Sequence, residues 1–162
     1  MYFYYKAEQV QTTEDVIACL LKQVLTKFGD VPPEIVTLYD DNVSKGNRLD
    51  QTTLLQLLTT QSKKFSTVYA VFDALDECSE LYQKALFTLF GTLQQSGYRL
   101  LGSFRPHLNK FQKVLSDPQI LAVRADESDL EKYAGMRLEE KGNKSSELKN
   151  KCVELMKKVD GR

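Results

Sequence analysis

Three carboxylates follow the most apolar run of the sequence, in Val68-Tyr69-Ala70-Val71-Phe72-Asp73-Ala74-Leu75-Asp76-Glu77. The run from Val68 to Phe72 suits a central strand of a parallel sheet covered on both faces. In open α/β sheets the C-terminal ends of the strands are where ligands bind. A lone acid delivered there holds Mg²⁺ through water, and a second carboxylate a few residues on orients a hydrolytic water, which is the logic of a phosphoryl-transfer site. A plainer reading stands beside it: loops are polar, and Ser79 opens a helix whose N-terminus welcomes negative charge.

A second stretch, Leu100-Leu101-Gly102-Ser103-Phe104-Arg105-Pro106, is another strand, ending in an arginine that a proline fixes in place. On the same sheet edge as Asp73, Arg105 can reach a terminal phosphate through paired charge-assisted hydrogen bonds and report its presence. The alternatives are a solvated loop arginine or one that only pairs with Asp76 or Glu77.

Other chemistry is poorly served. The single histidine, His107, reads as a loop residue, and Cys19, Cys78 and Cys152 are too scattered for a zinc site or a Cys/His nucleophile pair. Three widely spaced cysteines fit free thiols in a reducing compartment. Cys78 lies among Asp76, Glu77 and Glu80, which raise its pKa and leave it inert. Lys plus Arg and Asp plus Glu both number 22, and the balance holds on either side of Ala125. That removes the clustered positive charge on which nucleic-acid and anionic-membrane binding draw. No apolar run approaches the roughly 20 residues needed to cross a bilayer. The aromatic start Met1-Tyr2-Phe3-Tyr4-Tyr5 lacks the basic leader of a signal peptide, so the expected location is cytoplasmic.

The elements that must position these residues alternate. Tyr2 to Tyr5 is strand-prone, and Thr12-Thr13-Glu14-Asp15 offers a capping box to a helix carrying Val16, Ile17, Leu20, Leu21, Val24, Leu25 and Phe28, closed by Gly29. Asp30 to Arg48 reads as a long connection with a short helical piece over Ile35 to Tyr39. Asp50 caps a second helix and Ser79 a third, the latter ended by Gly97. A strand over Tyr98 to Phe104, a helical connection through Phe111 and Leu115, and a last strand over Gln119 to Val123 complete a three-layer α/β sheet. From Asp126 the chain is helical only, with Leu130, Tyr133, Ala134 and Leu138 on one stripe and Leu148, Cys152, Leu155 and Val159 on another. Residues 1–125 thus read as the sheet domain and 126–162 as a helical appendage.

Together these stretches resemble the NACHT family of P-loop NTPases of the STAND class, particularly fungal NLR-like proteins and the related Nephrocystin 3-like N-terminal domain. Tyr2-Phe3-Tyr4-Tyr5 is similar to the family's second strand, Glu14 to Gln23 to the helix after it, and Phe72-Asp73-Ala74-Leu75-Asp76-Glu77-Cys78 to the Walker B segment. Ser103-Phe104-Arg105-Pro106 resembles sensor 1, with Phe104 departing from the small polar residue expected. Ala125-Asp126 and Asp129-Leu130-Glu131-Lys132-Tyr133 resemble the entry to the helical lid. The resemblance implies a P-loop NTPase-like parallel sheet, with a partial nucleotide-binding core over 1–125 and the start of the lid over 126–162. It implies that Asp73 holds Mg²⁺ through water, that Asp76 and Glu77 position water, and that Arg105 senses the γ-phosphate of ATP or GTP.

No G-x-x-x-x-G-K-S/T occurs anywhere in the sequence, and the nearest look-alike, Gly142-Asn143-Lys144-Ser145, has no strand before it. By resemblance the family's first strand, phosphate loop and first helix would come before Met1. The family's strand order, five-one-four-three-two, makes that first strand central, so Gln119 to Val123 is expected either to face a gap or to collapse against the Tyr98 strand. Without the loop the chain alone lacks the main phosphate cradle, and hydrolysis by it is not expected. Three readings follow. The first is a fragment of a nucleotide-dependent switch acting through self-association or other protein domains. The second is a non-enzymatic interaction scaffold, and the third an unrelated Mg²⁺-binding α/β domain.

Overall fold

A computed structural model describes residues 1–6, 8–105, 115–123, 126–142 and 145–158. They divide into two compact units, Met1–Pro118 and Gln119–Arg162.

The first unit begins with strand β1 (Tyr2–Tyr4), followed by helices α1 (Thr13–Leu25), α2 (Pro33–Ser44) and α3 (Gln51–Ser62). Strand β2 (Tyr69–Asp73) leads through a 3₁₀ turn (Leu75–Glu77) into α4 (Glu80–Gln95) and strand β3 (Arg99–Gly102). The expected capping box is present: the Thr12 hydroxyl accepts from the Asp15 N–H, and the Asp15 carboxylate accepts from the Thr12 N–H. Asp50 caps α3 through its carboxylate, which accepts from the Thr53 N–H and the Thr53 hydroxyl. Ser79 stands at the N-cap of α4, but its side chain makes no capping bond. The helix α1 stops at Leu25 instead of Phe28, and Gly29 follows at φ +79°. In place of the short piece over Ile35 to Tyr39 stands a helix of 12 residues, α2, which starts on Pro33 and buries only Ile35. Proline is preorganised for that first helical position, so the helix forms without the apolar stripe by which sequence periodicity is read.

All three strands are parallel in the order β1-β2-β3, with Tyr2 opposite Val71, Tyr4 opposite Asp73, and Val71 opposite Leu101. Each crossover steps the same way along the sheet, so right-handed connections put their helices on one face. On that face Phe3, Ala70 and Phe72 join Val16, Ile17, Leu20, Leu54, Leu58, Leu86, Leu89, Phe90 and Leu93 in a single core. On the other face Tyr2, Tyr4, Tyr69 and Leu101 are exposed. The expectation that the central strand is covered on both faces is therefore corrected: β2 is central but buried on alternate residues, and the described sheet has helices packed on one side.

The two sheet edges differ. Along β1 the side-chain amide of Gln23 accepts from the Tyr2 N–H (2.8 Å) and donates to the Tyr2 carbonyl (2.7 Å), while Gln11 accepts from the Lys6 N–H (2.8 Å). These amides stand in for a neighbouring strand. On β3, Arg99 and Ser103 donate inward to Val68 and Phe72, so Leu100 and Gly102 point outward, and among the described residues nothing bonds their backbone groups.

The last expected strand is also corrected. Residues 119–123 form neither a strand nor a pairing, and Leu121 is 86% exposed. The expected pairing with the Tyr98 strand is therefore not formed among the described residues: β propensity describes fitness for a ladder and does not by itself bring a segment to one. The helical connection expected through Phe111 lies outside the described residues, as does His107.

In the second unit α5 (Glu127–Glu140) and α6 (Ser146–Lys158) pack together, burying Ala134 and Val153. Asp126 caps α5, and Lys157 pairs with Glu127. The stripes expected here are only partly buried, since Tyr133 and Leu155 are exposed. Val159 and part of the Gly142 to Ser145 turn lie outside the described residues.

Candidate functional site

Strand β2 delivers Asp73 to the C-terminal end of the sheet, and the chain then turns sharply. Ala74 takes the left-handed conformation (φ 56°, ψ 47°), uncommon for a residue with a Cβ. That turn aims the Ala74 N–H at both Asp73 Oδ1 (2.9 Å) and Ser103 Oγ (3.1 Å). Leu75 is buried, its N–H donating to the Ser103 carbonyl (3.0 Å), and this anchors the 3₁₀ turn that carries Asp76 and Glu77. The anchor lies against Gly102, where a Cβ would come 2.7 Å from Leu75 Cδ1.

The four residues expected at the site are brought to one end of the sheet, in two bonded groups. In the first, Asp73 Oδ1 accepts from the Ser103 hydroxyl and Oδ2 accepts from the Tyr2 hydroxyl (3.2 Å). The Ser103 bond, reinforced by Tyr2 and the Ala74 N–H and only partly opposed by desolvation, holds the Asp73 carboxyl below its ordinary pKa. The Tyr2 phenol is raised by desolvation and by Asp73. In the second group Arg105 Nε meets Asp76 Oδ2 at 3.2 Å and its NH2 nitrogen meets Glu77 Oε1 at 3.2 Å, while the Arg105 backbone N–H reaches Asp76 Oδ1 at 3.4 Å. The Asp76 side chain is 6% exposed and that of Arg105 64%. Of the readings open for Arg105, pairing with the acids is the one the geometry contains.

Tyr2 and Ser103 had no role assigned to them by sequence. The available signal was strand register: Tyr2 opposes Val71, which places Asp73 at the diagonal position on the same face. Cys78 is buried, and its thiol is pushed up by desolvation instead of by neighbouring acids. Among the described residues no three His, Cys, Asp or Glu side chains cluster as direct metal ligands. Asp73 is partly open and bonded by three donors, so its carboxylate keeps room for one more and fits a cation held through water.

The lowered carboxyls set a pH dependence. Asp50 and Asp126 are lowered chiefly by the backbone N–H groups they cap, Asp73 by Ser103. A depressed carboxyl contributes stability above its unfolded pKa and loses it as pH falls through the folded value. The thermal midpoint should therefore stay level from pH 7 to about 5 and fall below about pH 4. Asp50→Ser keeps a capping oxygen without a titrating group, and should make the acid limb shallower; an unchanged limb would count against this assignment.

The sequence profile described as Nephrocystin 3, N-terminal, matches residues 1–102. The chain belongs to that family. No curated protein and no solved structure matches it. The Nephrocystin 3 N-terminal match takes in all three strands and the carboxylates Asp73, Asp76 and Glu77, and ends just before Ser103 and Arg105.

Proposed function

We propose that this Nephrocystin 3-type domain is the sheet core of a NACHT-type ATP- or GTP-dependent regulatory switch in a cytoplasmic NLR-like signalling protein. It acts with a phosphate-binding loop that its own 162 residues do not contain. One observation carries this reading: Asp73, Asp76, Glu77 and Arg105 converge at the C-terminal ends of two adjacent parallel strands, where α/β sheets bind ligands. Asp73, kept ionised by Ser103 and Tyr2, is the group that holds hydrated Mg²⁺, which when bound neutralises phosphate charge. Arg105 is held by Asp76 and Glu77 and is the phosphate sensor. An arriving γ-phosphate competes with those carboxylates for the guanidinium, and their release leaves both free to orient water.

A strand, a G-x-x-x-x-G-K-S/T loop and a helix joined ahead of Met1 should give Mg²⁺-dependent binding of a fluorescent ATP or GTP analogue. Asp73→Ala should weaken that binding by about tenfold or more. The 162-residue chain alone should show no hydrolysis above its own Asp73→Ala control. Nucleotide binding by the extended protein that is indifferent to Asp73→Ala would overturn the reading.

A sheet face left uncovered among the described residues favours a second reading, a protein-interaction scaffold. Parallel sheets ordinarily have both faces covered, and Tyr2, Tyr4, Tyr69 and Leu101 together form an exposed aromatic and aliphatic surface suited to docking.

A further inference from the structure

We propose that Tyr2 is a positioning residue, whose phenol reaches across the open sheet face to fix the Asp73 carboxylate for a hydrated divalent cation. The proposal rests on the reading of Asp73 as the cation-holding group.

Asp73 sits at the end of its strand, where a lone carboxylate is free to rotate about two side-chain bonds. Ser103 and the Ala74 N–H both engage Oδ1, from the β3 side and from the following turn. Only Tyr2 engages Oδ2 among the described residues, and it does so from β1, so the carboxylate is held from both neighbouring strands. With one oxygen fixed on each side, the plane of the carboxylate is set, and one acceptor site is left over. Without the phenol, Oδ2 is left to solvent and the plane can swing about the Oδ1 bonds. Partners of this kind behind a ligating carboxylate are worth roughly 10- to 100-fold in metal affinity when the metal is bound directly. The lower end applies through water.

Tyr69 provides the internal comparison. It is exposed on the same face, but its hydroxyl accepts from Arg99 (3.3 Å) and has no bond to Asp73. A contribution made by tyrosine as face-filling bulk would be shared by both residues, whereas one made by the hydroxyl on Asp73 belongs to Tyr2.

The test is Mn²⁺ titration of the whole 162-residue chain, read as paramagnetic broadening of the Ala74 and Leu75 amide signals. Wild type should broaden saturably, and Asp73→Ala should abolish the effect. Tyr2→Phe should shift the half-saturating Mn²⁺ about tenfold upward, with Tyr69→Phe at the wild-type value and the thermal midpoint unchanged in both. If Tyr2→Phe titrates like wild type while Asp73→Ala abolishes broadening, the role of Tyr2 is refuted and that of Asp73 stands. Equal shifts in Tyr2→Phe and Tyr69→Phe likewise refute it. Broadening that survives Asp73→Ala, or none in wild type, removes the cation reading and this proposal with it.

Discussion

Replacing Phe72 with alanine should lower the unfolding free energy of the first unit by about 4 kcal/mol, measured as a fall in the urea midpoint at constant slope. Phe72 is 1% exposed, and its ring lies 4.6 Å from that of Phe90 at 52°. It is the point where the central strand meets α4. Truncation removes the ring's transfer energy and leaves a cavity that a strand bonded on both sides cannot close. Domains of this size hold about 5 to 15 kcal/mol in total, so the loss would leave the fold marginal. Leu101 is the contrasting case on the open face, 60% exposed. There Leu101→Ser should stay within about 0.5 kcal/mol of wild type. Equal costs at the two positions would show that the face taken as open is covered in solution.

Gly102→Ala should cost about 2 kcal/mol, the usual penalty of overpacking a filled site. The new methyl would lie 2.7 Å from Leu75 Cδ1. Leu75 is itself fully buried, so its side chain cannot yield without moving its neighbours. Because Leu75 anchors the turn bearing Asp76 and Glu77, the displacement should also loosen their grip on Arg105. The Arg105 Nε–H signal, which depends on the 3.2 Å approach to Asp76, should broaden by faster exchange with water. An alanine variant with the wild-type urea midpoint and an unaltered Arg105 signal would mean that Leu75 re-packs freely.

What was legible in the sequence was what is local along the chain. Thr12 and Asp15 stand three residues apart, so their reciprocal bonds are visible as a spacing, and the apolar run ending in Asp73 announces both a strand and the carboxylate at its C-terminal end. The two-sided burial inferred for that run was not legible, because tyrosine and valine satisfy a covered strand and tolerate an open one. Whether a helix lies over Tyr69 is decided by which way the crossovers step. Gln119 to Val123 failed for a related reason: β propensity describes fitness for a ladder and does not say whether the segment reaches one. At the site, Asp73, Asp76 and Glu77 could be found together because five residues of chain contain them. Tyr2 joins them from 71 residues away, a proximity that only strand order and register create.

The glutamine amides along β1 have a consequence for assembly. Open-ended growth requires each unit to offer two reactive ends, as any difunctional monomer does. Here Gln23 and Gln11 occupy backbone groups of one edge, which among the described residues leaves Leu100 and Gly102 as the open backbone of the other. In polymer terms the sheet is monofunctional: edge-to-edge joining through β3 would consume both reactive ends and stop at a pair. A sheet open to a further strand on one side only is thereby a chain terminator rather than a propagating unit, with its two glutamines as the end groups.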